Sequence, residues 1–231
     1  MGSTLPKEDP IAHSSFTPTI AELENDGGND TMSKLNISPW KESFWLTLQT
    51  LAPSDVCARS SAIYHADGYY SLICMNGKIK IYPEAGVITD TAQDKASIPP
   101  EFELLLLSYL IKSKDIPVKG EWISEKDIPG GSMFFRGPHA LPTHELEEVY
   151  GEDPGGFESR GKALDGKPGS FGDISMEFQV LPRIPVTIVL WIGDDEFPPR
   201  CHFLFDSTIR HHFPLDVVLA LTNTMVSRFL G

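Results

Sequence analysis

The chain reads as an α+β protein, with an antiparallel sheet made of an N-terminal hairpin and a C-terminal three-strand meander, packed with helices. Three observations carry this reading. "YYSLICM" and "KIKIYP" flank Asn76-Gly77, and Asn-Gly between two alternating runs is the strongest short-range hairpin signal. "DISMEFQV", "IPVTIVLWI" and "RCHFLF" follow one another over residues 173–205, with connections too short to carry a parallel crossover. Helical periodicity fills the gaps between these strands.

In chain order, residues 1–35 are rich in Ser, Thr, Pro, Asp, Glu and Gly. Such a segment buries too little apolar surface to offset its ordering entropy, so it is expected to be a disordered acidic extension. Residues 36–231 are expected to form a single α+β domain. Ser38 stands where an N-cap belongs, with Pro39 at the first helical position of "PWKESFWLTLQTL". Apolar residues at 40, 44, 45, 48 and 51 give that helix an amphipathic face. "PSDVCARSSA" adds a helical turn, and "GVITD" a third strand beside the hairpin. "IPPEFELLLLSYLIKSK" has prolines at its start, glutamates in its first turn and lysines in its last. Its nearly all-round apolar surface predicts burial between other elements.

Residues 115–142 are irregular, with a short strand expected at "GEWIS". An unpatterned stretch of this length in a compact domain is functional or disordered. Trp122, Phe134 and Phe135 argue that it is packed. "THELEEVYG" reads as a helix capped by Thr143, and "DPGGFESRGKALDG" as a weaker one. In the meander, Ile174, Met176, Phe178 and Val180 alternate with polar residues, as on a half-buried strand. "IPVTIVLWI" is a near-continuous apolar run, as expected of a strand covered on both faces. "FPLDVVLALTNTMVSRFL" closes the chain as an amphipathic helix.

Composition limits the partners. The net charge of −13 argues against a sequence-independent grip on nucleic acid, which depends on Lys and Arg displacing counterions. It also argues against adhesion to an anionic membrane surface. Three widely spaced cysteines, Cys57, Cys74 and Cys201, suit neither a disulfide framework nor a thiolate metal site. No apolar run approaches the ~20 residues that cross a bilayer, and the N-terminus lacks a signal-peptide pattern. A cytoplasmic protein whose partner is a small ligand, a cofactor or another protein is expected.

Nucleotide-binding, zinc-protease and serine-hydrolase signatures are absent, so a non-enzyme is favoured. Three constellations remain. The first is "FFRGPHALPTH", where Pro138 and Pro142 stiffen a loop around Arg136 and His139. A histidine so held suits an axial ligand to a metal or a tetrapyrrole. The alternative is a loop histidine bonded to nearby carbonyls. The second is Asp194, Asp195 and Glu196 at a strand end, either oxygen ligands for a hard cation or a solvated hairpin tip. The third is "FDSTIRHHFPLD", with Asp206, His211 and His212. One of the two adjacent histidines should point inward, and Asp206 near His139 would orient the imidazole. His202 lines either a pocket or the surface. Trp122 and Trp191 are core anchors or pocket walls.

By "GEWISEKDIPGGSMF", "PHALP", "PRIPVTIVLWIGDDEFPP" and "LFDSTIRHHFPLDVVLAL", the chain resembles the family of Domain of Unknown Function 3786 from about residue 38 onward. The resemblance implies kinship with proteins of anaerobic bacteria and archaea. Some of these carry an N-terminal four-cysteine Fe–S module of the type found in corrinoid proteins. This chain has no such cysteine cluster; the acidic extension stands in its place. The neighbourhood implied is metal or tetrapyrrole redox chemistry.

Three functions follow as expectations. The leading one is a soluble, non-catalytic binding or accessory protein for a tetrapyrrole such as haem, a corrinoid or a metal-containing partner. Its ligand-binding residues are Arg136, His139, Trp122, Phe135, Glu196, Asp206 and His212, with His139 as the metal ligand. The second is a metal-assisted hydrolase or lyase using His139 with Asp206 or Glu196. The third is a pure protein-interaction module.

Overall fold

The expected hairpin forms one residue away from the turn that Asn76-Gly77 predicts. In a computed structural model describing residues 38–91 and 98–231, strand β2 (Tyr69–Cys74) pairs with β3 (Gly77–Tyr82), and Cys74 faces Gly77. The turn is therefore Met75-Asn76, with Met75 in the left-handed region at φ 52°. A tertiary contact overrides the local preference: Met75 is buried and its amide donates to the Val180 carbonyl at 3.1 Å. Two further strands flank the hairpin, β1 (Ile63–His65) and β4 (Val87–Asp90), giving a four-stranded antiparallel sheet in the order β1-β2-β3-β4. Only β4 is foreshadowed by the sequence; β1 is three residues long and has no period to detect.

The meander forms as expected, with β7 (Ile174–Leu181), β8 (Ile184–Trp191) and β9 (Arg200–Asp206) all antiparallel. Two-residue edge strands, β5 (Trp122–Ile123) and β6 (Lys167–Pro168), extend it to the order β5-β9-β8-β7-β6. Its register places Met176, Ile188 and Phe203 in one row, and Phe178, Val186 and Phe205 in the next. These six are buried and form the helix-facing side. On the opposite side, Ser175, Val189 and His202 share one row, and Trp191 lies beside Arg200. Residues 169–173 lie over part of that side: a Cβ on Gly172 would sit 2.6 Å from Val189, and Phe171 meets the Trp122 ring edge-on. Both faces of β8 are thus largely covered, as its apolar run predicts.

Eight helices complete the described residues: α1 (Ser38–Thr50), α2 (Pro53–Ser60), α3 (Pro100–Lys112), α4 (Gly131–Phe134), α5 (Thr143–Tyr150), α6 (Pro154–Ala163), α7 (Ile209–His212) and α8 (Leu215–Leu230). Helix α3 is buried nearly all round, as its composition predicts, and packs on α1 and α8. Phe229 of α8 stacks on Phe157 of α6 at 5.2 Å and meets Phe178 of β7 edge-on at 5.8 Å. Burying each such ring contributes about 1.5–3 kcal/mol. Both sheets and the helices share one hydrophobic core, and Ile37–Gly231 gather into one compact unit. The acidic segment 1–35 lies outside the described residues, as does the Ser38 side chain expected to cap α1.

Two local expectations are corrected. Thr143 lies inside α5 and does not cap it; Pro142 precedes the helix and offers no side-chain acceptor. The long stretch 115–142 is not patternless. Ser124 and Asp127 close a capping box on a 3-10 turn over Glu125–Asp127, α4 follows Gly130 at φ 81°, and a second 3-10 turn spans Gly137–His139.

Candidate functional site

Strand β9 alternates between the core and the outside. Cys201, Phe203 and Phe205 point inward, while Arg200 and His202 are exposed. Two residues apart on an extended chain, Arg200 and His202 stand about 7 Å from each other on one face. Two clefts meet at this pair. One, of about 400 Å³, lies between β9 and the stiff loop, and is lined by Glu125, Phe135, Leu141, Glu147, Arg200 and His202 among others. The other, of about 430 Å³, lies toward the β8–β9 hairpin tip and is lined by Trp191, Asp194, Phe197, Pro198, Arg200 and His202 among others. Arg200 and His202 form the ridge between them.

The ridge is chemically unspent. Neither the Arg200 guanidinium nor the His202 ring nitrogens make a hydrogen bond or ion pair with any described residue. The Trp191 ring meets the His202 ring edge-on at 5.1 Å and 88°, which fixes the plane of the imidazole while leaving its nitrogens open. By contrast, most acids around the clefts are already engaged. Glu147 accepts the Cys201 amide at 2.7 Å. Asp173 accepts the Ile192 amide at 2.9 Å. Asp194 accepts the amides of Glu196 and Phe197 at 2.9 and 2.7 Å, an Asx turn that closes the hairpin tip.

The residues singled out from sequence distribute unevenly around this ridge. Phe135 lines the first cleft, so the stiff loop does contribute to the groove. His139 and Arg136 sit on the exposed side of that loop. The His139 ring lies flat against Phe134, centroids 4.7 Å apart and 6° from parallel, outside both clefts. Glu196 is exposed at the hairpin tip, and no hydrogen bond or ion pair joins it to His139.

The expected Asp206–His139 pair does not form, because Asp206 is committed elsewhere. Its buried carboxylate accepts the amides of Lys119, Gly120 and Thr208 and the Thr208 hydroxyl. Burial alone would raise its pKa, but these hydrogen bonds outweigh burial and hold the carboxyl below its ordinary value. Asp206 is an anchor for the 117–120 segment. Trp122 is half-buried on β5 against Phe171, and Trp191 is exposed at the groove, so neither is a core anchor.

Of the adjacent histidines, His212 points inward and His211 stays exposed. His212 Nδ1 accepts the Lys114 amide at 3.3 Å, while Nε2 is buried without a partner among the described residues. Burial, followed by the positive field of Arg183, pushes its pKa down to about 4. This histidine is a neutral core residue. Among the described residues, no three His, Cys, Asp or Glu side chains are placed to hold a metal ion together. The cysteines are free, and burial pushes the Cys74 and Cys201 thiols up, Cys74 to about 12.

A larger cavity, about 540 Å³, opens between the start of α3 and the end of α8. Its buried cation, Arg228, is tied to Asp90 and lies over the Phe102 ring. That pairing leaves the Arg200–His202 ridge as the better-provided site. Arg200 is not among the residues singled out from sequence. Its one signal there is the alternation of "RCHFLF", which turns Arg200 and His202 away from the three apolar residues.

The fold and the ridge define an α+β module with an open, aromatic-walled groove on one side of a five-stranded sheet. The chain belongs to the family described as Domain of unknown function (DUF3786), whose model matches residues 52–228. No curated protein and no solved structure matches it.

Proposed function

We propose that this chain is a non-catalytic binding module for a planar, metal-bearing macrocycle of the haem or corrinoid class, seated on the Arg200–His202 ridge. The single observation that carries the reading is the unpaired His202 imidazole standing between two clefts. A flat macrocycle centred on that nitrogen would extend over both. One histidine suffices as an axial ligand when the macrocycle supplies the other donors. Arg200 supplies a fixed fork of donors for a peripheral carboxylate. Phe135, Leu141, Trp191 and Phe197 offer apolar and aromatic walls, as small-ligand sites commonly do.

The hydrolase or lyase reading needs His139 within hydrogen-bond reach of Asp206 or Glu196, and neither contact exists among the described residues. The binding reading does not need that contact: without Arg136, His139, Asp206 and His212 as ligand residues, it rests on the His202 ridge and Phe135. The test is titration of the full chain with haemin and with aquocobalamin, followed by visible absorbance. A saturable band shift is expected with at least one of them. His202→Ala should abolish the shift, Arg200→Ala should weaken binding about tenfold through loss of a charge-assisted pair, and His139→Ala should leave it unchanged. No shift with either macrocycle, or a shift that survives His202→Ala, overturns the proposal.

A further inference from the structure

The four-stranded sheet has a second side, and its residues differ from the rest of the molecule. Tyr70, Leu72, Cys74, Ile79 and Ile81 point into the core. The alternate positions point outward, and His65, Tyr69, Ser71, Lys78, Lys80 and Tyr82 share one face with the exposed aliphatics Ile63, Ile73 and Val87. Across one end of that face, beside the turns that carry Asp67 and Glu84, runs a band of rings. His65 stacks on Tyr69 at 4.3 Å and 12°, and Tyr69 lies 5.0 Å from Tyr82. Lys80 Nζ stands 5.4 Å from the Tyr69 ring centroid. His65 Nε2 and the Ser71 hydroxyl are 2.7 Å apart.

We propose that this outward face is a docking surface for single-stranded nucleic acid. The face is independent of the macrocycle site, which lies on the other sheet. In a chain with 32 acidic side chains, no Asp or Glu occupies an outward position of β1 to β4; Asp67 and Glu84 lie in the turns between strands. The net charge of −13 opposes a polyanion at long range. Screening confines that effect to about 8–10 Å at ordinary ionic strength, so the local cations govern contact. Tyr69 and Tyr82 stand on the two central strands, where an open antiparallel sheet offers bases something to stack on. Lys78 and Lys80 are neighbours on the same face and serve the phosphates. The face is an open sheet surface, and small ligands need burial of roughly 70–90% of their area. An extended polymer repeating one planar group and one anion per unit matches it better. An acidic peptide matches the lysines but not the rings.

The test is fluorescence anisotropy of the full chain with labelled 12-residue oligouridylate and oligothymidylate, and with a labelled oligoglutamate of similar length. Saturable binding of a nucleic acid at low salt is expected, weakening with added salt at a log–log slope of about −1 to −2 for two neutralised phosphates. The double change Lys78→Glu and Lys80→Glu should weaken it at least tenfold. Tyr82→Ala should weaken it by about five- to a hundredfold, the range of one base–aromatic stack. Lys162→Glu, on α6, should leave it unaltered, and all variants should keep the parent far-UV circular dichroism. Absence of saturable binding, binding indifferent to the two lysines, or capture of the oligoglutamate in place of nucleic acid each overturns the proposal. The last outcome would assign the face to an acidic protein partner.

Discussion

His212 shows how one buried atom sets a pH limit on the whole fold. Because Nδ1 accepts the Lys114 amide, the proton sits on Nε2, and burial with the nearby Arg183 charge pushes the pKa down to about 4 from 6.5. Below pH 6.5 the unfolded chain takes up a proton that the folded chain refuses until about pH 4. Stability contributed by the neutral ring is therefore complete above 6.5, declines as pH falls, and levels off below 4. The loss reaches about 3 kcal/mol, since each factor of ten in proton affinity is worth roughly 1.4 kcal/mol. Urea midpoints for the wild type and His212→Gln should diverge in slope between pH 6.5 and 5, with the variant flatter; parallel slopes would refute the assignment. Asp206 contributes through its charged form, held by hydrogen bonds. Asp206→Ala strands the amides of Lys119, Gly120 and Thr208 and should cost about 3 kcal/mol in denaturant unfolding. Asp206→Asn should leave any macrocycle spectrum unchanged, since Asp206 does not line the groove.

At the scale of elements, the stiff loop depends on a close approach that only glycine permits. A Cβ on Gly131 would sit 1.9 Å from the Glu125 carbonyl oxygen. Gly131→Ala should therefore push α4 off the 3-10 turn before it and lower stability by about 1–3 kcal/mol. Differential scanning calorimetry reads this as a lower Tm, and the same displacement should weaken ligand binding at the cleft lined by Glu125 and Phe135. Long, strongly periodic elements are legible in the sequence: α3, α8 and the three meander strands announce themselves by period and punctuation. What is not legible is set by contacts between segments distant in the chain. The hairpin turn shifts because Val180 claims the Met75 amide. β6 is two residues long, too short for any pattern, and exists because β7 offers it a partner, whereas β5 is the short strand expected at "GEWIS", paired with β9. The groove escapes for the same reason. His139 has the more suggestive local setting, but Phe134 takes its ring face, while Arg200 and His202 acquire their role only when the loop packs beside β9.

For the whole molecule, the joint between the four-stranded sheet and the last helix is a buried ion pair. Arg228 of α8 meets Asp90 of β4, with its guanidinium 4.6 Å from the Phe102 ring centroid. Truncating Arg228 removes this pair and the cation's contact with the Phe102 ring, and costs about 3 kcal/mol. Arg228→Ala should show that loss in chemical unfolding. Since both sheets share one core, tryptophan fluorescence and circular dichroism should report the same midpoint in wild type and variant; separated transitions would mean that the sheets unfold as independent units. Glu147 matters at this scale too. β5 pairs only with Phe205 and Asp206, so the outer margin of β9 from Arg200 to Leu204 meets no neighbouring strand among the described residues. The Glu147 carboxylate holds the Cys201 amide at 2.7 Å on that margin. An unpaired strand margin invites a strand from another chain; here α5 packs along β9, and its carboxylate withdraws one donor while placing a negative charge in the approach path. Glu147→Ala should leave the chain folded yet prone to fibril nucleation, visible as thioflavin fluorescence and light scattering that rise with protein concentration. A side chain that looks like groove lining would then also be what keeps separate copies of the protein from zipping together.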